Sequence, residues 1–381
     1  MPLIQYLMTM VLVYGVLLGM AWALSWITTR GAIALAERRR IVATVNHRSS
    51  HRVPTPRLGG VGIVSGMFFA CAIVALGLVA PETFPVAMRP SKDAISLWLL
   101  AVLAVSILGA FLLGLWDDIA DAPALVKLVG QLALAIVPPV LGWRLEHIHF
   151  PGMSGALELQ TVPSVMLTSV WILAMMNAVN FMDGINGIAG RFGQVVAASA
   201  FFATFQLGGS ESLLILCAGL FGGCTGFLSW NLPKARTFMG DCGSQPLGLF
   251  LALLGVHLAN LPTTFPLPIL GYILIVSPFL FDTGITLVKR LLEGKNVLHA
   301  HREHLYQRYL VACGEDHDRT LFFFEMHHLA VALLGILYVF YFFSPADVGW
   351  QVGAIGTAAL ILAHYAWRVL EAEDRRPINA A

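Results

Sequence analysis

The stretch ISLWLLAVLAVSILGAFLLGLWDDIAD, at residues 95–121, carries no charged side chain until Asp117. A helix of about 20 apolar residues is long enough to cross the hydrocarbon core of a bilayer. The uncharged part of this stretch meets that length and then ends on carboxylates. We therefore interpret it as a membrane-spanning helix whose acidic end lies at one membrane surface.

Similar apolar stretches recur along the whole chain of 381 residues, of which 57% are hydrophobic and 12% charged. A soluble globular domain usually carries about 25% charged residues. The alternating pattern of a membrane β-barrel is absent, so helices must satisfy the backbone hydrogen bonds inside the bilayer. We predict an all-α, polytopic integral membrane protein, one transmembrane domain over 1–381, with about 10–11 helices near residues 4–28, 59–80, 94–115, 123–142, 163–181, 190–207, 212–230, 246–261, 266–288, 321–343 and 350–369.

Positive charge is distributed unevenly between the predicted loops. The odd-numbered connections hold most of the Lys and Arg residues, whereas the even-numbered ones carry only Arg89, Lys92 and Arg144. Because cytoplasmic loops are enriched in Lys and Arg, we predict that the odd-numbered connections are cytoplasmic and that the N-terminus lies outside. Segment 143–162, which falls on the outer side, is long enough to hold a small hairpin.

Two adjacent carboxylates, Asp117 and Asp118, follow the third predicted span, and Asp121 comes shortly after them. Like charges at a membrane boundary repel each other and are costly to dehydrate. We expect a compensating cation, either a divalent metal ion or a basic side chain such as Lys127. An ordinary solvated loop, or an N-cap of the next helix, would account for the pair equally well.

A polar segment, NAVNFMDGING at 177–187, follows the fifth predicted span. Asn177 and Asn180 are about one helical turn apart, so they share a helix face, and Asp183 comes just after them. Amides, a carboxylate and backbone exposed by glycine suit a nucleotide or the hydroxyls of a sugar. A helix C-cap followed by a turn is the structural alternative.

The segment FMGDCGS at 238–244 places Asp241 between two glycines. This arrangement allows a carboxylate and nearby backbone amides to converge on a metal-bound phosphate. Phe238, three residues earlier, could stack on a base. A glycine-rich turn that leads into the next span is the alternative.

Two basic segments complete the polar set. If HREHLYQR at 301–308 is helical, His301, His304 and Arg308 form one cationic stripe suited to phosphate oxygens. An interfacial helix that binds anionic lipid headgroups is the alternative. In RSSHRVPTPRLGG at 48–60, Arg57 and the Gly-Gly pair could reach a phosphate, although plain positive-inside anchoring explains this segment as well.

All of these polar segments fall on the predicted cytoplasmic face, while the span centres are nearly free of charge. A transporter usually holds its polar groups near the bilayer midplane, often on broken helices. Chemistry at the membrane surface is therefore favoured, and a transporter or flippase that only binds its substrate is the alternative. The histidine spacing matches neither HExxH nor HxxEH, which argues against a metalloprotease.

Taken together, these segments resemble the polyprenyl-phosphate N-acetylhexosamine-1-phosphate transferase family. The matching stretches occur in the family's order over essentially the whole chain: PTPRLGG (54–60), DDIAD (117–121), NAVNFMDGING (177–187), FMGDCGS (238–244) and HREHLYQR (301–308). The resemblance implies transfer of a sugar 1-phosphate from a UDP-sugar to undecaprenyl phosphate, with release of UMP and a need for Mg²⁺, or alternatively Mn²⁺. It further implies a cytoplasmic active site in the bacterial inner membrane, membrane lipid and a homodimer as partners, and no nucleic acid.

The resemblance also assigns roles to individual residues. Asp241 matches the family's metal ligand, and Asp117 and Asp118 match its catalytic acidic pair. Three positions match the nucleotide site: Phe238 for stacking on uracil, with Asn180 and Asp183. The other residues that we expect to contact substrate or gather phosphate charge are His301, Arg302, His304, Arg308, Lys127, Asn177 and Arg57.

The resemblance also narrows the choice of sugar donor. Where this chain has HREHLYQR, the muramoyl branch has three consecutive histidines, so a muramoyl-pentapeptide donor is not expected. The segment is similar instead to the O-antigen branch, whose donors are UDP-N-acetyl-D-fucosamine, UDP-N-acetylquinovosamine or UDP-N-acetylglucosamine. Asn186 stands where many relatives have a second Asp, and an amide cannot neutralise a cation.

Asp117 is commonly cast as the base that deprotonates the acceptor. A phosphate monoester has a second pKa near 6, so the acceptor is already mostly dianionic at pH 7. Little therefore remains for a base to remove. We expect Asp117 and Asp118 to organise cations and the acceptor instead.

Overall fold

The computed structural model describes residues 3–43, 53–84, 89, 95–152, 155–206, 209–261, 269–297, 301–341 and 348–375. Within these ranges nearly all regular structure is helical: α1 Leu3–Arg39, α2 Val61–Val79, α3 Leu97–Ala120, α4 Ala124–Val140, α5 Thr161–Met182, α6 Ile188–Gln206, α7 Glu211–Asn231, α8 Asp241–Ala259, α9 Ile269–Leu292, α10 Leu305–Ala312, α11 His317–Tyr341 and α12 Val348–Asp374. Four short strands accompany them: β1 Val42–Ala43, β2 Thr55–Pro56, β3 His147–Ile148 and β4 Leu157–Glu158.

Ten helices of the described residues are long and apolar enough to cross a membrane, and α4 is a shorter apolar helix. Each of the predicted spans corresponds to one of these eleven helices, and only α10 lies outside the predicted set. The prediction of an all-α, polytopic membrane protein is confirmed. It succeeded because a bilayer-length apolar run is a signal that requires no knowledge of tertiary contacts.

One connection differs from the sequence prediction, and another agrees with it. The loop predicted over 29–58 begins later, because α1 continues to Arg39. At about 1.5 Å per residue, such a helix is longer than the roughly 30 Å hydrocarbon core, so its basic last turns project beyond the bilayer. The hairpin expected within 143–162 is present, since β3 pairs with β4 in antiparallel register with His147 opposite Glu158.

Helix α8 lies at the centre of the bundle, and every residue from Cys242 to Ala259 is buried. It packs against α3 and α5 at close range, which glycines at the crossings permit. A Cβ added to Gly114 of α3 would lie 2.1 Å from the carbonyl oxygen of Asp241. The start of α8, with Asp241, is therefore held directly against the acidic end of α3.

Gly114→Ala is expected to lower the stability of the folded protein by about 1–3 kcal/mol, because the added methyl group overpacks a rigid backbone contact. The matched control is Gly284→Ala in α9, where an added Cβ would meet nothing within 4 Å. There, the higher helix propensity of Ala should leave stability unchanged or raise it by up to about 1 kcal/mol. Thermal unfolding in detergent measures both, and equal effects of the two substitutions would contradict the close crossing of α3 and α8.

Candidate active site

Two adjoining cavities lie at the end of the bundle where α3 and α5 end and α4 and α8 begin. The first, here called the carboxylate cavity, has a volume of about 400 Å³ and is lined by five aspartates of three different segments: Asp117, Asp118, Asp121, Asp183 and Asp241. The second, here called the histidine cavity, has a volume of about 430 Å³ and is lined by His301, His304 and Lys127. Asp117 and Asn180 line both, so the two cavities meet at these side chains.

The structure brings the predicted site residues together from distant parts of the chain. The carboxylate cavity contains Arg57, Asp117, Asp118, Asn180, Asp183, Phe238, Asp241 and Arg302 in its wall. The histidine cavity adds Lys127, Asn177, His301 and His304. Among the predicted residues only Arg308 lines neither cavity.

Asp118 connects the acidic segment to the FMGDCGS segment. Its Oδ1 accepts the backbone N–H of Asp241 at 3.0 Å, and its Oδ2 accepts that of Cys242 at 2.9 Å. A carboxylate is stabilised at a helix N-terminus, where free N–H groups and the helix dipole meet it. Asp118 thus caps α8, and the sequence alternative that the pair caps the next helix is wrong for this residue, since α4 begins after Pro123 without a side-chain cap.

Gly240 allows the carboxylate of Asp118 to approach the start of α8. Its φ of +70° lies in the region that favours glycine, and an added Cβ would lie 2.5 Å from Oδ2 of Asp118. A side chain at this position would therefore both strain the backbone and displace the capping carboxylate. The sequence suggested that the glycines of this segment free the backbone for a ligand. In the structure, Gly240 instead leaves room for Asp118 to contact the start of α8.

Asp117 and Asp241 face each other across an ammonium group. Nζ of Lys127 donates to Oδ2 of Asp117 at 3.0 Å and also contacts Oδ2 of Asp241. Oδ1 of Asp117 accepts the backbone N–H of Ala122 at 3.1 Å. Of the two compensating cations considered from the sequence, the basic side chain is in place in this structure.

The amide side chains hold this wall in position. Nδ2 of Asn180 donates to Oγ of Ser244 at 2.9 Å, and Nε2 of Gln245 donates to Oδ2 of Asp241 at 3.1 Å. Nδ2 of Asn177 donates to the carbonyl of Leu173 within α5, at 2.9 Å. Asn180 therefore connects α5 to α8, whereas Asn177 makes its bond within its own helix.

Asp183, at the end of α5, has a perturbed acidity. Burial raises its pKa to about 8, and the negative charges of Asp241 and Asp118 contribute in the same direction. At neutral pH this carboxyl group is therefore mostly protonated. A cation brought into the carboxylate cavity would favour the ionised form of Asp183.

The raised pKa of Asp183 predicts a pH-dependent cost in stability. An acid whose pKa is higher in the folded than in the unfolded state loses stability as pH rises from its ordinary value, about 3.8, through about 8. In detergent without divalent cations, Asp183→Asn should raise the unfolding temperature relative to the unsubstituted protein at about pH 8.5 and much less at about pH 5. An equal effect at both pH values would show that Asp183 ionises normally.

The basic segment differs from the predicted cationic stripe. Helix α10 begins only at Leu305, so His301 and Arg302 precede it. Burial, together with neighbouring His304 and Arg290, lowers the pKa of His301 to about 4, so His301 is neutral at pH 7. Arg308 pairs with Glu373 of α12, with Nε 2.8 Å from Oε1, and lies away from both cavities.

The structure therefore gives no support to the prediction that Arg308 binds phosphate in the site. Its partner, Glu373, lies 65 residues further along the chain and could not be inferred from local spacing. Arg302 does line the carboxylate cavity, where its Nη2 donates to both carboxylate oxygens of Glu315 at 3.0 and 2.7 Å. Both bonds come from one guanidinium nitrogen, and they hold Arg302 against Glu315.

The proline-rich segment supports the site through its backbone. The N–H groups of Gly59 and Gly60 donate to the carbonyls of Phe238 and Met239 at 2.9 and 2.8 Å. The prediction that this glycine pair reaches a phosphate is therefore wrong here. Arg57 does line the carboxylate cavity and pairs with Asp121 at 3.3 Å. Arg48 and Arg52 lie outside the described residues.

Asp282 is a functional candidate that the sequence reasoning missed. It is fully buried in α9, and its carboxylate accepts the backbone N–H groups of Leu305 and Tyr306 at 2.9 and 3.0 Å. Nδ1 of His304 lies 3.2 Å from Oδ1 of Asp282, and the hydroxyl of Tyr365 donates to Oδ2 at 3.0 Å. An ionisable residue within an apolar span is itself a signal of a functional or anchoring role, so the sequence alone could have indicated Asp282.

The oxygen donors of the carboxylate cavity fit a hard divalent cation completed by substrate. Within the described residues, no three His, Cys, Asp or Glu side chains cluster so as to hold a metal ion by themselves. Mg²⁺ is commonly bound by one or two carboxylates together with substrate phosphates and water. Asp117 and Asp241 offer such donors, and Lys127 between them shows that positive charge is accommodated there.

Comparison with known proteins gives the family. The family description Glycosyl transferase family 4 matches residues 100–259, which include the ends of α3 and α5 and the whole of α8. The decaprenyl-phosphate N-acetylglucosaminephosphotransferase of Mycobacterium tuberculosis is 30% identical over 360 residues, covering 86% of this chain and 83% of the relative. The chain belongs to glycosyl transferase family 4. It is a polyprenyl-phosphate sugar-1-phosphate transferase, as the sequence resemblance indicated.

Further relatives place this family 4 transferase among multi-pass bacterial membrane proteins. A probable undecaprenyl-phosphate N-acetylglucosaminyl 1-phosphate transferase of Bacillus subtilis is 28% identical over 299 residues, covering 77% of this chain and 74% of the relative. The phospho-N-acetylmuramoyl-pentapeptide-transferase of Moorella thermoacetica is 28% identical over 340 residues, covering 80% and 93%. The family 4 transferases similar to this chain thus include both N-acetylglucosamine and muramoyl-pentapeptide enzymes.

Proposed function

We propose that this transferase moves an N-acetylhexosamine 1-phosphate from a UDP-sugar to undecaprenyl phosphate on the cytoplasmic face of the bacterial inner membrane, releasing UMP. The observation that supports this most strongly is that the carboxylate and histidine cavities meet at Asp117 and Asn180. A reaction between two bound phosphates requires two adjoining sites, and two cavities that share part of their walls are consistent with that requirement.

The carboxylate cavity suits the sugar nucleotide. Phe238 lies in its wall and offers an aromatic face for uracil, while Asn180 and Asp183 offer hydrogen-bonding groups. With a cation in the cavity the ionised form of Asp183 is favoured, and this form can accept hydrogen bonds from the nucleotide. Arg302 supplies a fixed positive charge on the same wall.

The histidine cavity suits the lipid acceptor. Its wall includes the apolar side chains of Leu128, Phe181 and Val297 beside the polar groups of His301 and His304. On α4, next to this cavity, Leu125 and Val129 are exposed and would face the acyl chains of the bilayer. A prenyl chain could therefore remain in the bilayer along α4 while its phosphate enters the cavity.

The proposed reaction is a single displacement at phosphorus. An oxygen of the lipid phosphate attacks the β-phosphorus of the UDP-sugar and forms a new P–O bond. The bond between the β-phosphorus and the bridging oxygen breaks, and its electron pair leaves with UMP. Because donor and acceptor are both anionic, the barrier arises mainly from charge repulsion and positioning, as in phosphoryl transfer generally.

The site offers positive charges and hydrogen-bond donors that would reduce this repulsion between donor and acceptor. When bound at Asp241 and Asp117, Mg²⁺, or Mn²⁺, would supply positive charge to the diphosphate oxygens. Lys127 places an ammonium where the two cavities meet, and it can turn from the carboxylates towards a phosphate. His301 and His304, from the acceptor side, can donate ring N–H groups to phosphate oxygens.

The finer identity of the donor follows from the resemblance to the O-antigen branch. We propose a UDP-N-acetyl amino sugar as donor, and the first membrane step of O-antigen or related polysaccharide synthesis as the role. The homodimer implied by the same resemblance is part of this proposal. A panel of UDP-amino sugars, each incubated with undecaprenyl phosphate and read out as lipid-linked product by mass, identifies the donor.

UMP release by the purified protein tests the proposed function against the transporter alternative. Detergent-solubilised protein with Mg²⁺, undecaprenyl phosphate and a UDP-amino sugar should release one UMP for each lipid-linked product formed. Asp374→Asn, a substitution of an exposed carboxylate outside both cavities, is the control and should leave this rate unchanged. Transport of a lipid-linked substrate in liposomes, with no UMP from any donor, would overturn the proposal.

A further inference from the structure

A third cavity, of about 560 Å³, lies at the end of α7 and shares no lining residue with the two cavities of the candidate site. Its wall is formed by Trp26 of α1, Trp230 of α7, and Lys234 and Arg236 of the following segment. We call it the tryptophan–arginine pocket. Nothing in the proposed reaction uses these residues.

The aromatic part of this pocket lies at the end of a helix long enough to span the membrane. The rings of Trp26 and Trp230 are 5.1 Å apart, and Nε1 of Trp230 donates to the carbonyl of Trp26 at 3.1 Å. Trp230 is the next-to-last residue of the apolar helix α7. Tryptophan at the end of a spanning helix typically marks the membrane–water interface.

Two cations lie over these rings, and a third lines the same pocket. The guanidinium of Arg236 lies over Trp230 at 5.6 Å from the ring centroid, and that of Arg30 lies over Trp26 at 5.9 Å. Lys234 completes the set. Across the described parts of the chain none of the three forms an ion pair, whereas Lys127, Arg302 and Arg308 of the polar segments all do.

The backbone fixes the segment that carries two of these cations. The N–H of Arg236 donates to the carbonyl of Trp230 at 2.8 Å, and Nδ2 of Asn231 donates to the carbonyl of Thr237 at 2.9 Å. Lys234 and Arg236 therefore lie on a closed turn rather than on an extended loop. Such a preformed set of uncompensated cations favours a phosphate group.

The neighbouring surface indicates that the phosphate belongs to a lipid. Trp22 of α1 lies one helical turn before Trp26, and its side chain is 42% exposed. Because α1 runs towards this end of the bundle, Trp22 lies deeper in the bilayer, directly below the pocket. An apolar surface beneath a cationic mouth matches a molecule with acyl chains below its phosphate.

We propose that the tryptophan–arginine pocket binds the headgroup phosphate of an anionic membrane phospholipid, with its acyl chains along α1 beside Trp22. This site is separate from the site of the lipid acceptor. Its ligand is a structural partner from the bilayer and takes no part in the reaction. The proposal stands whether or not the donor assignment is correct.

Native mass spectrometry of the detergent-solubilised protein, titrated with phosphatidylglycerol or phosphatidylcholine, tests this. Phosphatidylglycerol should bind to the unsubstituted protein in a saturable manner and more tightly than phosphatidylcholine. The double variant Lys234→Gln, Arg236→Gln should bind phosphatidylglycerol roughly 30-fold more weakly, since each cation near a lipid phosphate contributes about fivefold. Inorganic phosphate at millimolar concentration should not displace the lipid.

The matched control is the double variant Arg38→Gln, Arg39→Gln. It removes the same charge from exposed positions of the same end of the bundle, away from the pocket. This control should bind phosphatidylglycerol as the unsubstituted protein does. Equal weakening by both double variants, equal affinity for the two lipids, or displacement by inorganic phosphate would each overturn the proposal. If a variant fails to fold, the comparison of phosphatidylglycerol with phosphatidylcholine on the unsubstituted protein still tests the proposal.

Discussion

Asp241→Asn is expected to lower kcat by roughly 10²–10³-fold, the usual cost of removing one preorganised electrostatic group from an active site. Asp241 begins the buried helix α8, and its Oδ2 contacts both Lys127 and Gln245. The amide keeps the shape of the side chain but removes its negative charge. Cations in the cavity then lose their strongest partner, so the Mg²⁺ concentration needed for half-maximal rate should also rise.

Initial rates of UMP release across a range of Mg²⁺ concentrations measure both effects. Asp374→Asn is the control, because it removes a similar carboxylate at the exposed end of α12. The unfolding temperature of Asp241→Asn should stay close to that of the unsubstituted protein, which separates a loss of chemistry from a loss of fold. Unchanged turnover with unchanged Mg²⁺ dependence would remove Asp241 from the reaction centre.

Asp117→Asn is expected to lower kcat by roughly 10²-fold, and by the same factor at every pH from about 5.5 to 8.5, because positioning of a dianionic acceptor does not require proton removal. In this structure both oxygens of Asp117 are already occupied, Oδ1 by the backbone N–H of Ala122 and Oδ2 by Nζ of Lys127. An oxygen that binds a cation, either Lys127 or the Mg²⁺ proposed to replace it, is poorly suited to accept a proton from the substrate.

The pH profile separates positioning from base catalysis. If Asp117 were the base, the defect should shrink as pH rises above the second pKa of the acceptor, near 6. Lys127→Gln provides an independent check, because it removes the partner of the same contact. When two residues act through one contact, their effects are not additive. The double variant should therefore be little slower than the slower single variant, and full additivity would contradict the Asp117–Lys127 contact.

Local patterns in the sequence predicted the spans well, and they failed where partners lie far apart in the chain. The apolar run ending at Asp117 gave α3 correctly, since span length depends on local composition alone. The capping of α8 by Asp118 joins residues 123 positions apart, and no spacing rule reveals it. The pairing of Arg308 with Glu373 escaped local spacing rules for the same reason, because Glu373 belongs to the last helix.

Asp282 illustrates a different limit. The polar residues of the predicted site cluster in loops, whereas Asp282 is a single carboxylate within the apolar run of α9. Four of its partners come from the segment 304–306 and from α12, so its role appears only once these elements are packed together. A charged residue inside a predicted span would have been a sufficient signal.

The fate of the β-phosphate tests the central claim most directly. Purified protein is incubated with undecaprenyl phosphate, Mg²⁺ and a UDP-N-acetyl amino sugar that carries a phosphorus label only in its β-phosphate. Transfer of sugar 1-phosphate predicts that the label moves into the lipid, as a lipid diphosphate sugar, and that the released nucleotide is unlabelled UMP. Labelled UDP together with a lipid monophosphate sugar would show transfer of the sugar alone and would contradict the account.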